Sequence, residues 1–535
     1  MKSKTFSIIT IALALFCTTA SAQIRINNGK GSPLQKIMIA ESAINSLYVD
    51  TVNEEKLAED AIRGMLEKLD PHSSYSTPDE VRELNEPLQG NFDGIGVQFN
   101  MVEDTLMVIQ TINDGPSEKV GILAGDRIIS VNDTAIAGVK MERNKIMKKL
   151  RGPKGTMVKV GVLRRGIDET LYFNIKRDKI PVKTIDAYYM IRPGVGYIRI
   201  GSFGATTYKE FLEALMDMSE TKDGKHKLLK DQFKTLIIDL QDNGGGYLNT
   251  AVQLANQFLE KGDLIVYTEG RAQKRQDYAA DSNGELTKTK VIVLVNEYSA
   301  SASEILSGAL QDHDRGTIVG RRTFGKGLVQ RPLPLPDESM IRLTVAHYYT
   351  PSGRCIQKPY TKGDKKAYEK DIEIRLKNGE LTNADSIHFN DSLKCYTLKK
   401  HRVVYGGGGI MPDVFVPLDT MKYTKLHRSL AAKSLVVNAN LKFIDKERKN
   451  IVAEYKDFDD FNARFEIPDA VIEDIYKEGE KQKITAKDDE EKAKTTEAVK
   501  LQLKALVARD IWTMTEYFRI MNETNDIVQA ALKVK

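Results

Sequence analysis

Lys290-Val291-Ile292-Val293-Leu294-Val295-Asn296-Glu297-Tyr298-Ser299-Ala300-Ser301-Ala302-Ser303-Glu304 is the stretch on which the fold turns. From Val291 to Val295 it is apolar and largely β-branched, which predicts a buried strand. Asn296-Glu297-Tyr298 turns the chain. After Ser303, the residues Ile305, Leu306, Ala309 and Leu310 recur at helical spacing, so an amphipathic helix follows at once. Ser301 falls about where that helix begins. Unpaired N–H groups and the positive dipole end favour developing negative charge there. The N–H of Ala302 is placed to be one donor of an oxyanion hole. Read alone, Ser299, Ser301 and Ser303 are better explained as helix-capping serines.

A second strand–turn–helix changes the balance. Phe233 to Leu240 is another buried strand, followed by Gln241-Asp242-Asn243-Gly244-Gly245-Gly246 and a helical stretch from Leu248 to Leu259. Three glycines let backbone N–H groups face outward, which makes Gly245 a candidate second oxyanion donor. A nucleotide-binding loop would need a Gly-Lys-Ser/Thr here, and none follows. Phe324-Gly325-Lys326-Gly327 then supplies a glycine-flanked lysine. A serine hydroxyl is a poor nucleophile until a base takes its proton, and a neutral lysine amine is such a base. Bringing a lysine from about 10.4 to roughly 7–8 costs about 4 kcal/mol, and burial is the usual cause. Phe324, Leu328 and Val329 suit a dry pocket around Lys326. Among the histidines, His313 is near Ser301 in sequence but one step past Asp312, on the far side of the helix. No His-Glu-x-x-His or paired-cysteine pattern calls for a metal, and no cofactor is expected.

These pieces resemble the carboxyl-terminal processing peptidases, or tail-specific proteases, of the S41 class. The resemblance rests on Asp239 to Gly246, Ser299 to Asp312, Gly325-Lys326-Gly327-Leu328-Val329-Gln330 and Tyr349-Thr350-Pro351-Ser352-Gly353-Arg354, and runs from about Leu34 to about Pro417. It implies that Ser301 is the nucleophile, Lys326 its base and Gln330 the residue orienting the lysine. Asp312 matches an acidic position that supports the site, three helical turns from Ser301 and thus able to face the same side. The implied core is mixed α/β, of crotonase-like or ClpP-like architecture. Gln241-Asp242 departs from the more usual arginine-asparagine, which puts substrate preference in doubt more than catalysis.

Residues 89–178 have their own logic. Phe92-Asp93-Gly94-Ile95-Gly96-Val97 leads into alternating strands, and Gly125-Asp126-Arg127-Ile128-Ile129-Ser130-Val131-Asn132 follows. This resembles a PDZ domain, which adds a peptide as an extra strand at a sheet edge. Its loop, here Gly94, Ile95, Gly96 and Val97, is expected to capture a terminal carboxylate with backbone N–H groups. The expected partners are protein or peptide substrates with free, apolar C-termini.

At 535 residues the chain calls for several domains. Residues 1–22 read as a signal peptide: Lys2 and Lys4, an apolar run from Phe6 to Phe16, then Ala20-Ser21-Ala22. A periplasmic location is favoured, and no later run approaches the roughly 20 apolar residues of a membrane span. The net charge of +5 includes the two leader lysines, a mild balance that argues against nucleic-acid binding. Residues 23–88 look helical, ending at Leu69-Asp70-Pro71-His72-Ser73-Ser74-Tyr75, with His72 read as packing scaffold. The peptidase core is placed at 179–418. Within it, residues 358–403 form an insertion that the family pattern lacks, read as a solvated loop with short strands. Cys355 and Cys395 are candidates for a disulfide. Residues 419–535 read as helical, Lys481 to Lys500 as a solvated helix or mobile linker, and Leu503, Val507, Ile511, Met514, Phe518 and Met521 as a stripe on one final helix. The stripe suits core packing, a homo-oligomer or an adaptor protein, and the sequence leaves these open. The reading is an exported serine endopeptidase that selects substrates by their tails; the alternative is a catalytically silent PDZ-bearing binding protein or chaperone.

Overall fold

The computed structural model describes residues 32–102, 104–219 and 233–534, so the expected leader at 1–22 lies outside the described residues. Contacts divide the chain into a unit ending at Gly64 and another beginning at Met65. In the first, α1 (Pro33–Leu47) starts on a capping box in which Ser32 and Gln35 exchange hydrogen bonds. The acidic pair Glu54 and Glu55 opens α2 (Glu54–Glu67), where the helix dipole favours it. The second unit starts with a short strand and helix, β1 (Ser74–Ser76) and α3 (Pro78–Gln89), then β2 (Asn91–Gly94).

The PDZ-like module follows as β3 (Val97–Val102), β4 (Thr105–Thr111), α4 (Pro116–Lys119), β5 (Arg127–Val131), β6 (Thr134–Ala135), α5 (Arg143–Leu150), β7 (Met157–Leu163) and β8 (Leu171–Lys176). Its strands lie in the order β3-β4-β5-β7-β8, with β6 on β5, around a core that includes Leu106, Val108, Ile128, Ile146 and Val160. Strand β9 (Asp178–Pro181) pairs antiparallel with β2, so the chain enters and leaves the module side by side.

The α/β core comprises β10 (Ile185–Arg192), β11 (Val195–Ile200), α6 (Thr207–Asp217), β12 (Thr235–Asp239), α7 (Leu248–Asn256), β13 (Leu264–Glu269), β14 (Gln276–Ala279), β15 (Lys290–Val295), α8 (Ala302–Asp312), β16 (Gly316–Gly320), β17 (Leu328–Pro334) and β18 (Met340–Tyr349). Both predicted buried strands lie at the centre of a six-stranded sheet, where β12 and β15 pair in parallel. Alternate residues of β15 serve opposite faces. Val291, Val293 and Val295 pack with Phe211, Leu254 and Leu306 of the helices, while Ile292 and Leu294 face a second cluster. A strand covered on both sides needs this unbroken apolar run. A second sheet runs β1-β18-β13-β14, with β17 also on β18.

The insertion contains α9 (Lys365–Glu369), α10 (Asp371–Lys377), β19 (Lys394–Tyr396) and β20 (Val403–Tyr405). It is not the solvated loop expected from its polarity, because Tyr368, Arg375, Leu381 and Ile387 are buried and anchor it to the core. Cys355 and Cys395 are free thiols. Strand β21 (Val414–Phe415) then closes the central sheet beside β16.

Seven helices end the described chain: α11 (Lys425–Ala432), α12 (Leu435–Glu454), α13 (Phe458–Arg464), α14 (Asp469–Lys481), α15 (Asp489–Ile511), α16 (Met514–Met521) and α17 (Asp526–Ala531). The expected single final helix is two. Its backbone breaks at Trp512, and Thr513 restarts the chain with a capping box to Glu516. Lys481 to Lys500 is mostly the ordered first half of α15, joined to α14 by a short connection. Helix α17 lays Ile527, Val528 and Ala531 on the sheet face opposite α8. Helix α12 holds the PDZ-like module: Asp445 pairs with Arg127 at 2.9 Å, Arg448 donates to the Ile109 carbonyl at 3.1 Å, and Leu441 packs on Met107 and Ile109. Gln110 also donates to the Trp512 carbonyl at 3.3 Å.

Candidate active site

The three serines at the start of α8 have different surroundings. Ser299 and Ser303 are fully buried; their hydroxyls donate to the carbonyls of Leu240 at 2.7 Å and Asn243 at 2.9 Å, tying α8 to the glycine turn. Ser301 is half-buried and sits at φ 58°, ψ −114°, a conformation that side chains rarely adopt. Strain at one residue persists only where the surroundings over-determine it. Flanking serines do the structural tying and leave the middle one free to present its hydroxyl.

The turn after β12 is held from behind. Buried Asp239 accepts from Tyr197 at 2.5 Å, from Arg199 at 2.9 Å and from the Gln241 N–H at 2.8 Å. Arg199 also donates to the Gln241 carbonyl at 2.9 Å and pairs with Asp242 at 3.2 Å. Arg199 of β11 thus contacts both Gln241 and Asp242, which gives that pair a charged partner. Gly245 lies at φ 103°, and a Cβ there would come within 2.7 Å of the Ser301 Cβ. No other residue fits so close to the serine. Its N–H donates to Asn243 Oδ1 at 2.8 Å, whereas Ala302 is the first helical residue, whose N–H has no partner within the helix.

Lys326 enters from the loop before β17. One buried carboxylate, Glu304, joins this loop to the serine. Its Oε2 accepts from the N–H groups of Ser301 at 2.8 Å and Lys326 at 2.9 Å; its Oε1 accepts from Gly325 N–H at 2.7 Å and Thr323 Oγ1 at 2.5 Å. Burial pushes the Glu304 carboxyl up, and these donors oppose the shift. The hydroxyl of buried Tyr348 adds a second clasp, donating to the carbonyls of Ser301 at 3.2 Å and of Lys326. Sequence reasoning assigned neither residue. Glu304 had a signal in the Ser-x-x-Glu capping-box spacing from Ser301; Tyr348 had none.

The Lys326 ammonium donates to Gln330 Oε1 at 3.3 Å, and Gln330 Nε2 donates to the His72 carbonyl. Burial, then the Arg342 guanidinium, pushes the amine below the ordinary lysine value, against the attraction of Glu304 and Asp70. Burial and the nearby Lys326 charge draw His72 down to about 4, so its ring is neutral at working pH. Asp312 is not brought to this site. It closes the far end of α8, roughly 16 Å along the axis from the serine at about 1.5 Å per residue. There it pairs with buried Arg354 at 2.7 Å and accepts from Ser352 N–H at 2.9 Å. His313, with a ring nitrogen 2.7 Å from the Leu264 carbonyl, lies at the same end.

In the PDZ-like module, the Ile95 carbonyl accepts from the N–H of Ser117 at 3.0 Å and its hydroxyl at 2.6 Å, and the Gly96 carbonyl from Ile112 N–H at 3.0 Å. Gly96 has φ 75°, and a Cβ there would press on Ile180 and Pro116 at 3.1 Å. The loop runs into β3, an edge strand with one paired side. Among the described residues no group of three His, Cys, Asp or Glu is arranged to hold a metal ion, and no helix is long and apolar enough to cross a membrane.

Residues 194–367 match the model of peptidase family S41, residues 94–176 the PDZ domain, residues 16–79 the activating protease CtpB N-terminal domain, and residues 426–513 a family of unknown function. A carboxy-terminal-processing protease of Bartonella bacilliformis is 40% identical over 315 residues, covering 59% of this chain and 70% of the relative. Carboxy-terminal processing protease CtpA of Bacillus subtilis is 34% identical over 364 residues, 68% of this chain and 75% of the relative. Among solved structures, a photosystem II D1 C-terminal processing protease is 27% identical, covers 72% of this chain and 94% of that one, and has a TM-score of 0.34. With the strand–glycine turn–helix core and the PDZ module both matched, the chain belongs to the carboxy-terminal processing serine proteases of peptidase family S41.

Proposed function

We propose that the chain is an exported endopeptidase working through a Ser301–Lys326 dyad on substrates selected by their C-terminal tails. One observation carries the reading: a single buried carboxylate, Glu304, binds the backbone N–H of Ser301 and of Lys326, in a pocket that lowers the lysine's pKa. Ser301 Oγ attacks the scissile carbonyl carbon while neutral Lys326 takes its proton. Gln330 holds the amine in place. The new ammonium then protonates the leaving amine, and water, deprotonated by the lysine, releases the acyl group. The Ala302 N–H receives the oxyanion, joined by Gly245 N–H once that group shares or leaves Asn243 Oδ1. Each such donor is worth about 10²–10³ in rate. Asp312 supports the site only through stability, by anchoring the far end of α8 to Arg354.

Tail recognition uses Gly94, Ile95, Gly96 and Val97. The Ile95 and Gly96 carbonyls are committed inside the module and Gly94 is paired opposite Asp178 in β2–β9, so a carboxylate is met by N–H groups further along the loop while the open side of β3 takes the peptide as an added strand. A homo-oligomer or an adaptor has a surface to use on α1, where Ile37, Met38 and Ile39 are exposed. The silent binding-protein reading draws on the engaged Gly245 N–H alone. The deciding experiment incubates residues 23–535, Ser301→Ala and Lys326→Ala with an unfolded protein bearing an apolar tail, and weighs the products by mass spectrometry. Cleavage by the parent alone establishes the dyad; tail binding without cleavage by any of the three favours a silent binder.

A further inference from the structure

The insertion at 358–403 reaches the lysine by an indirect route. Helix α9 is exposed except for Tyr368, its one buried residue. The Tyr368 hydroxyl lies 2.9 Å from His72 Nε2, and the two rings meet edge-on at 5.1 Å. The His72 carbonyl accepts from Gln330 Nε2, and Gln330 Oε1 accepts from Lys326 Nζ at 3.3 Å. On its other side the Tyr368 ring meets Phe324, two residues before the lysine, edge-on at 5.8 Å. The Lys358 ammonium sits 3.8 Å from the Phe324 ring and 4.1 Å from the Tyr368 ring while paired with Asp371 at 3.0 Å. Arg375 of α10, almost wholly buried, donates to the carbonyls of Arg322 at 2.7 Å and Thr323 at 3.1 Å. The insertion therefore grips the start of the Arg322-to-Gln330 segment directly, at Arg322, Thr323 and Phe324, and reaches its end only through His72.

We infer that Tyr368 is a positioning residue for Lys326, acting through His72 and Gln330 to hold the amine and keep water from its pocket. The inference rests on the dyad proposed above. An otherwise solvent-facing helix that sinks one tyrosine against a histidine and the catalytic segment is built to deliver that tyrosine. The charged or titratable groups around the amine are Glu304 from α8, Arg342 from β18, and Asp70 and neutral His72 from the segment before β1. Around Tyr368 stand Lys358, Asp371, Tyr360 and Glu304. None of these supplies the contact to His72 that Tyr368 makes. Removing the ring opens the wall between His72 and Phe324, hydrates the amine and restores its proton affinity.

The test measures cleavage of the apolar-tailed unfolded protein by the full mature chain, Tyr368→Phe and Tyr368→Leu, from about pH 6 to about pH 10, with thermal unfolding as a folding control. For Tyr368→Leu the acid limb of kcat/KM moves up by about one pH unit, so the neutral-pH rate falls about tenfold. KM stays put and the rate recovers at alkaline pH. Tyr368→Phe keeps the seal, loses the hydroxyl contact and falls between. Folded variants with the parental profile overturn the inference; so does a loss equal at every pH, the mark of a merely structural role. Should Tyr368→Leu fail to fold, the Tyr368→Phe profile decides. Lys326→Ala runs beside them: retained activity there removes the dyad and the inference together, whereas lost activity there with parental Tyr368 profiles removes the inference alone.

Discussion

Replacing Glu304 by glutamine and by alanine should separate the clasp's hydrogen bonds from its charge. The carboxylate receives three backbone N–H groups and one hydroxyl in a fully buried setting. Glutamine keeps one oxygen. Turned toward Ser301 and Lys326, that oxygen retains both their N–H groups, and the amide faces Thr323 Oγ1, which can accept, and Gly325 N–H, which cannot. One stranded buried N–H costs about 1–3 kcal/mol. Alanine strands all three N–H groups, about 3–9 kcal/mol by the same reckoning, comparable to the whole stability of a domain at about 5–15 kcal/mol. Urea unfolding should therefore show Glu304→Gln folded with a lowered midpoint and Glu304→Ala largely unfolded. The charge has its own readout. Glu304 raises the Lys326 pKa, so the neutral variant lowers it. If the proposed dyad holds and activity uses the free amine, the acid limb of the Glu304→Gln rate profile moves to lower pH even as the maximum rate falls. Equal urea midpoints for parent, Gln and Ala, or an acid limb moving upward, would refute the reasoning.

Arg342 works in the opposite sense. Arg342→Gln removes a positive neighbour of Lys326, raises the amine's pKa and shifts the acid limb of kcat/KM to higher pH. Gly245→Ala puts a Cβ 2.7 Å from that of Ser301 at a φ of 103°, so cleavage is lost and thermal unfolding drops by about 1–3 kcal/mol or more. Arg354→Ala leaves the Asp312 carboxylate buried without its cation; about 3–5 kcal/mol of stability should go, read by urea unfolding, with kcat little changed in the fraction that remains folded. Amidating the substrate's C-terminus should raise KM for cleavage, and an unchanged KM would remove the carboxylate-capture role of Gly94 to Val97.

The two strand–turn–helix units were readable because their information is local. Val291 to Val295 must be apolar on both faces, and Gly245 must be glycine because another chain segment touches it. Lys326 and Gln330 likewise stand in one short motif, and the Lys326 amine donates to Gln330 Oε1 at 3.3 Å. What stayed hidden acts across long stretches of sequence. Tyr348 bonds two distant carbonyls, and His72 contributes a backbone oxygen that no side-chain pattern announces. The insertion misled by composition, since a few buried anchors, Tyr368, Arg375, Leu381 and Ile387 among them, decide its packing while most of its charged residues face water. For Asp312, helical periodicity predicts a face but not a position along the axis, and the rise of α8 separates it from Ser301.

The attachment of the PDZ domain to α12 bears on how this architecture tolerates recombination. Arg127 needs Asp445, the Ile109 carbonyl needs Arg448, Gln110 uses the Trp512 carbonyl, and Leu441 covers Met107 and Ile109. A PDZ domain grafted from a relative would carry its ligand-binding loop intact yet meet a helix shaped for another partner. The PDZ domain and the helical region therefore form a matched pair in this chain. A chimera that exchanges both should retain its new substrate preference, whereas one that exchanges the reader alone trades specificity for a loose joint.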